Sequence, residues 1–315
     1  MKKLTSMCVA LLCAIGAVIS MRWLFKSRED TSWDDAWKPG KLIEVDGVTL
    51  HYIEKGSGPA IVMIHGFGGQ TFSFRYQLQE FSRDHRCVAI DLKGFGYSER
   101  PEGGDYSLEE QARLVLRAMD ALGIDAAVLI GHSMGGEVVA RAAAMAPERV
   151  EKLILVAAPT GYPIWLAPRT PIAKALMPAF AKLARRNARR NLFYDPNSVD
   201  LNNILDEYSK PGQINGSLNT IWEMWGDVRR QPKLDHSKIT MPVLILWAEK
   251  ERVLLFDKRV LKWLRKRLPG AEVVTAPRTG HMLLEEQPKA ANEELRVFID
   301  GRQAVEKTAV RAAQA

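Results

Sequence analysis

From about residue 41 the chain alternates short apolar runs with amphipathic stretches of helical period. LIEV and VTLHYIE flank Asp46-Gly47, a turn pair that predicts an antiparallel hairpin. AIVMIHG (60–66), RCVAIDL (86–92), AAVLIGHS (126–133), LILVAA (153–158), PVLILWA (242–248) and AEVVTAP (271–277) each read as a strand. They are rich in Val, Ile and Leu at successive positions, so both faces are buried. Between them, residues 71–83 read as a helix. Ser107 with Glu110 reads as a capping box for a helix running to about Leu122, and an Ala-rich helix follows residue 133. Buried strands separated by helices predict an α/β protein with a mostly parallel sheet covered on both sides.

One interval breaks this rhythm. Residues 162–238 show no core strand and read as helices: PIAKALMPAFAKLARRNARR, SVDLNNILDEYS and GSLNTIWEMWGDVRR. They predict a helical cap inserted over the carboxyl ends of the strands. The cap divides the chain into an N-terminal segment (1–40), a first core part (41–161), the cap (162–238) and a second core part (239–315). It holds 12 Lys/Arg against 7 Asp/Glu, so most of the net charge of +7 sits there. ARRNARR reads either as a solvated helix face or as a basic face for anionic lipid head groups. Trp165, Trp222 and Trp225 supply packing, and some of the cap's apolar side chains are expected to line a substrate passage.

Ahead of the core, MKKLT is basic and residues 6–21 carry no charge. Arg22, Lys26 and Arg28 follow. The run predicts an uncleaved anchor extending to about Phe25, so that residues 6–25 hold the protein at a membrane. Export after signal cleavage is the alternative. SREDTSWDDAWKPG then reads as a short polar linker, with Trp33 and Trp37 resting on the domain or on the membrane. Of three cysteines only Cys87 lies in the core region, which leaves it no internal disulfide there, and it reads as a small buried hydrophobe. The composition, 47% hydrophobic and 26% charged, is ordinary for a globular chain. No basic stripe interleaved with aromatics, no zinc-ligand spacing and no phosphate-binding loop stands in the chain. Neither a nucleic-acid partner nor a metal is expected.

Three stretches carry chemistry. In LIGHSMGG, Gly131-x-Ser133-x-Gly135 lies between a strand and a helix. A turn that tight strains the backbone at Ser133 and admits only small neighbours two residues either side. In His65-Gly66-Phe67-Gly68-Gly69 the glycines let backbone N–H groups face inward. The amides of Phe67 and Met134 are the candidate oxyanion donors, and His65 is expected to brace the loop. In Arg278-Thr279-Gly280-His281, a histidine follows the last strand on a loop with glycine before it. Of the six histidines only His281 has the order and setting of a general base for Ser133. His51, His85 and His236 lie elsewhere, and His132 is expected to point away because neighbours on a strand alternate. WAEKER holds two carboxylates, Glu249 and Glu251, that follow a buried strand.

These residues resemble the α/β-hydrolase superfamily, in its serine-dependent members with a helical cap. The resemblance spans residues 41–300 and includes DLKGFGYSERP (91–101), which matches the segment D-x-x-G-x-G-x-S after the fourth strand. The resemblance implies eight strands with the first antiparallel, a site at their carboxyl ends, and the order Ser133, acid, His281. In the family pattern W-G-x-x-D, Trp247-Ala248-Glu249-Lys250-Glu251 puts Glu251 at the acid's place. The other family location, after the sixth strand, has no carboxylate here, since AAPTGYP (157–163) is uncharged. Glu249 remains the alternative acid. A serine nucleophile implies an esterase- or lipase-like enzyme with no cofactor, acting on a small-molecule ester of medium or long acyl chain. It argues against dehalogenases and epoxide hydrolases of the same fold, which use Asp as nucleophile. Carbon–carbon bond hydrolysis of ring-fission products, haloperoxidase-like chemistry, and a non-catalytic binding protein on this fold are the other readings.

Overall fold

The computed structural model describes residues 29–162, 170–171, 173–174, 176, 191–228, 231–253 and 257–301. The anchor over 6–25, PIWLAP, ARRNARR and most of the first cap helix lie outside the described residues. Among the described residues, no helix is long and apolar enough to cross a membrane.

The strands are β1 (Lys41–Val45), β2 (Val48–Lys55), β3 (Ala60–Ile64), β4 (Arg86–Ile90), β5 (Ala127–His132), β6 (Val150–Val156), β7 (Val243–Ala248) and β8 (Glu272–Ala276). They form one sheet in the order β1-β2-β4-β3-β5-β6-β7-β8. Asp46 and Gly47 both adopt positive φ, 49° and 76°, as a two-residue hairpin turn requires. β2 pairs antiparallel with both β1 and β4, while all later pairings are parallel. The strand that runs against the others is therefore β2, not the first. A two-residue hairpin reverses the chain once, and β1 at the edge ends up running with the rest.

The helices are α1 (Arg75–Phe81), α2 (Leu108–Ala121), α3 (Met134–Met145), α4 (Leu201–Ser209), α5 (Ser217–Val228), α6 (Asp257–Arg267), α7 (Leu283–Glu286) and α8 (Pro288–Asp300). The helix expected over 71–83 begins as a 3-10 turn, Thr71–Phe74. The predicted capping box is half made. Ser107 Oγ accepts from the Glu110 N–H, but the Glu110 carboxylate turns to Arg113 and Lys93, and the Ser107 N–H donates to Asp105 instead.

Alternation along the buried strands sorts side chains into two cores. Val62, Ile64, Val88, Ile90, Leu129, Leu155, Ile245 and Trp247 face α2, α3 and α6. Ile61, Met63, Cys87, Ala89, Val128, Ile130, Leu244 and Leu246 face α1 and α8. Cys87 is fully buried, and its burial pushes the thiol up to about 12, which leaves it inert.

A polar knot sits where β4 ends. The Asp91 carboxylate accepts from the Thr71 N–H (2.6 Å), the Tyr97 N–H (2.8 Å) and His51 Nδ1 (2.7 Å), all out of water. Gly96 lies against that carboxylate so closely that any Cβ would collide with it. The second glycine in DLKGFGYS is thus a packing requirement of the aspartate, while the first, Gly94, lies against Thr220 and Tyr106.

Residues 29–38, expected as a short polar linker with its tryptophans on the domain or the membrane, form a strap. The Asp30 N–H donates to the Gln213 carbonyl (3.1 Å) and the Asn215 N–H to the Thr31 carbonyl (2.9 Å). The Glu29 carboxylate accepts from the Leu218 N–H at the N-terminus of α5, where a negative charge meets the helix dipole. Trp33 Nε1 donates to the Tyr97 carbonyl, whereas Trp37 is 77% exposed. The strap therefore ties onto the cap and onto the loop after β4.

Asp91→Ala should leave three buried donors without an acceptor and lower the unfolding free energy by about 3 kcal/mol or more. Urea denaturation followed by circular dichroism measures this.

Candidate active site

β5 ends at His132, and the next residue turns the chain directly into α3. Ser133 has φ 53° and ψ −118°, a conformation that costs an L-residue of order 1–3 kcal/mol. Its N–H donates to the Val156 carbonyl on the neighbouring strand and its carbonyl accepts from Gly136. The fold also needs bare backbone on both sides. A Cβ at Gly131 would strike the Gly135 carbonyl, and one at Gly135 would strike the carbonyls of Ile64 and His65. Ser133 is half-buried at the sheet's carboxyl edge, with the first turn of α3 behind it.

The glycine loop lies against this turn. A Cβ at Gly66 would be 3.0 Å from Ser133 Cβ, so the loop backbone passes directly over the serine. The Gly69 N–H donates to the Gly66 carbonyl (3.0 Å) and Gly68 has φ 68°, closing a tight turn. His65 is fully buried. Its Nδ1 donates to the Gly66 carbonyl (2.7 Å), and its Nε2 accepts from the Leu92 N–H (3.1 Å). Burial holds its pKa below the usual imidazole range, so it stays neutral and keeps both bonds. Phe67 and Met134 thus follow Gly66 and Ser133 on the two backbones that meet here. The Phe67 ring is largely exposed and stands edge-on to Phe95.

The loops after β7 and β8 are zipped together. The Glu249 N–H donates to the Ala276 carbonyl, and the Lys250 N–H to the Thr279 carbonyl (3.0 Å). This brings Glu251 to His281: Nδ1 donates to Glu251 Oε2 at 2.7 Å, and the pair is almost completely buried. That bond leaves Nε2 of His281 as the acceptor. Glu251 Oε1 accepts from the Val253 N–H (2.8 Å). Glu249 faces elsewhere, accepting from the Arg278 N–H (2.7 Å) at an exposed position. Of the two glutamates in WAEKER, only Glu251 is brought to the imidazole.

The other histidines have different partners. His51 meets Asp91, His85 meets Asp84, and His236 meets the Thr160 carbonyl at 3.2 Å. His132 departs from expectation. Its Nε2 donates to the His281 carbonyl (2.9 Å), and the two rings lie 4.8 Å apart. Strand alternation does not describe it, because the backbone leaves the extended conformation at Ser133 and the loop after β8 folds across the strand end. Burial, with His281 beside it, pushes its pKa down to about 3.

No sequence signal singled out His132 or Glu286 as supports of this loop, or Glu285 as a tie between α1 and α4. Both glutamates are buried. Glu285 accepts from Arg75 (2.8 Å) and from the Tyr208 hydroxyl on α4 (2.5 Å).

Residues 59–288 match the model of the alpha/beta hydrolase fold family. The chain is similar to "Uncharacterized hydrolase YugF" of Bacillus subtilis, 29% identical over 84% of this chain and 99% of that protein. It is 37% identical to "Epoxide hydrolase 1" of Caenorhabditis elegans, over 44% of this chain and 36% of that one. Among solved structures, "Cfl2" of Burkholderia cenocepacia superposes with a TM-score of 0.69 at 27% identity, over 82% and 94% of the two chains. A bacterial "membrane phospholipase A" superposes at 0.68 and 24% identity, over 96% of this chain and 100% of that one.

The acid limb of stability should report His132. Above about pH 6.5, folded and unfolded imidazoles are both neutral. Below that, the unfolded chain takes up a proton that folded His132, titrating at about 3, refuses. Stability should fall as pH drops from about 6.5 toward 3. His132→Asn should flatten part of this dependence in thermal melts, leaving the share of His65.

Proposed function

The chain belongs to the α/β-hydrolase family and is a hydrolase, and on that premise we propose that it cleaves carboxylic esters through an acyl-enzyme on Ser133. The observations that carry this are the buried Glu251–His281 pair, with Nε2 of the imidazole left as acceptor, and a serine on a strained strand-to-helix turn whose preceding residue, His132, bonds the His281 carbonyl. His281 takes the Ser133 proton as Oγ attacks the carbonyl. The amides of Phe67 and Met134 receive the oxyanion, and Glu251 stabilises the imidazolium. His281 then protonates the leaving alcohol, and water activated by the same imidazole resolves the acyl-enzyme. The relatives include epoxide hydrolases, but a serine at the nucleophile position favours acyl transfer over opening of an epoxide by a carboxylate.

We further propose a medium- or long-chain, lipid-like ester as substrate and a membrane anchor in residues 6–25. The support is the strap. It follows the basic end of that apolar segment in sequence, and its residues 29–31 are bonded at Gln213, Asn215 and Leu218.

A fluorophosphonate probe should label the wild type and not Ser133→Ala. Glu251→Gln should lower kcat by about a hundredfold or more, while Glu249→Gln stays close to wild type. The reverse pattern would exchange the two glutamates. Across p-nitrophenyl esters of graded length, kcat/KM should rise with acyl chain. A vinylogous diketone turned over faster than every ester would instead favour carbon–carbon bond hydrolysis. Removing residues 1–28 should release the protein from the membrane fraction with the soluble-ester rate kept.

A further inference from the structure

Two carboxylates, Glu285 and Glu286, stand side by side on α7, four and five residues after His281, and both are buried. Neighbouring buried charges are costly unless each is separately satisfied. Glu285 is satisfied by Arg75 and Tyr208, as described. Glu286 is satisfied differently. Its Oε1 accepts from the N–H groups of Tyr194 (2.7 Å) and Asp195 (3.1 Å), and its Oε2 from the N–H of Gly280 (2.5 Å). Among the described residues its partners are all backbone amides, and they belong to two separate segments. Tyr194 and Asp195 lie where the cap chain comes down onto the core. Gly280 immediately precedes His281.

The same two segments touch wherever they pass. The Met282 N–H donates to the Leu192 carbonyl (3.0 Å). A Cβ at Gly280 would lie 2.7 Å from the Leu192 oxygen and the Tyr194 nitrogen, so the two backbones are in direct contact. Met282 packs into a small apolar cluster with Phe193, Leu201 and Ile204 of the cap. Lys250, beside the acid, lies 3.9 Å from the centre of the Tyr194 ring. The backbone around His281 is thereby held on three sides: Gly280 by Glu286, the His281 carbonyl by His132, and Met282 by Leu192.

We infer that Glu286 is a positioning residue that couples the cap segment 192–195 to His281, so that the base reaches its working geometry only while that segment is seated. The inference rests on the reading of His281 as general base. Glu286 touches no reacting atom. It acts by fixing the peptide before the imidazole, and a displacement there moves Nε2 relative to Ser133 and stretches the bond to Glu251. The carboxylate of Glu285, one residue away, ties Tyr208 of α4 to Arg75, and among the described residues it makes no hydrogen bond to the histidine loop. It serves as an internal control with the same charge and nearly the same location.

The test is steady-state and pH-dependent hydrolysis of a p-nitrophenyl ester by Glu286→Gln and Glu285→Gln. Each is checked for fold by circular dichroism and counted by fluorophosphonate titration. Gln at 286 keeps the volume but turns an amide NH2 toward one of the N–H groups that the carboxylate bound. Glu286→Gln should lose about 10- to 100-fold in kcat with KM little changed. The acid limb of its kcat/KM profile should move to lower pH, because a loosened Glu251 bond stabilises the imidazolium less. Glu285→Gln should keep both the wild-type kcat and the wild-type limb. Wild-type kcat and limb in Glu286→Gln would overturn the inference, as would equal losses in the two variants with no movement of the limb. Should Glu286→Gln fail to fold, Gly280→Ala wedges a methyl into the same junction. It is expected to show the same loss and shift, and normal behaviour there would also overturn the inference. Wild-type protein that neither labels nor turns over esters would bring down the triad reading itself. Inactive Ser133→Ala and His281→Ala beside a normal Glu286→Gln would bring down the coupling alone.

Discussion

The site depends on one compressed turn. At Ser133 the chain goes from strand to helix without an intervening loop, and the backbone is held at φ 53° to do it. Nothing local favours that conformation, so the surroundings must impose it. The imposition comes from the sheet, through the Ser133 N–H on β6, and from bare backbone at Gly131 and Gly135, which lets α3 sit against β3 and β5. The strain is therefore distributed over the centre of the sheet, where strands buried on both faces resist relaxation. The consequence is positional: Ser133 is held half-buried at the end of β5, against the backbone of the glycine loop.

Around that turn the protein keeps its polar groups dry but satisfied. His65, His132, Asp91, Glu251 and Glu286 are all buried, and each is held by backbone groups, a partner side chain or both. In a low-dielectric setting such bonds are strong and their loss is expensive, which makes them good positioning elements. The two imidazoles with depressed pKa values act as neutral struts. They share the neighbourhood with His281, whose environment differs by having a carboxylate on one nitrogen.

Much of this was legible in the chain. Runs of Val, Ile and Leu marked β3 to β7, because burial on both faces removes the polar alternation that would make them ambiguous, and the Asp46-Gly47 turn marked the hairpin of β1 and β2. Gly131, Ser133 and Gly135 were legible because a tight turn tolerates few residue types. His281 was legible by order and by its glycine. The remainder depended on contacts between distant segments. Which strand reversed was hidden, since a hairpin has the same signature whichever arm joins the sheet antiparallel. Glu249 and Glu251 are chemically alike, and only the pairing of the loops after β7 and β8 separates them. Glu286 carried no signal, because its partners are backbone amides and backbone amides have no residue type. The strap was read as a linker because SREDTSWDDAWKPG is polar, yet its bonds to the cap run mainly through main-chain groups at Asp30, Thr31, Gln213 and Asn215.

That strap also decides how mechanical load enters the molecule. A chain leaving a domain usually departs from the sheet or from a core helix, so a tug on it is borne by the most stable part. Here residues 29–31 are fastened to the stretch 213–218, and Trp33 ties the chain to the loop after β4. A displacement of the N-terminal segment is thus felt first by the start of α5, before β1 takes up any strain. The strap and the stretch leading into α5 thus take up such a load as one mechanical element.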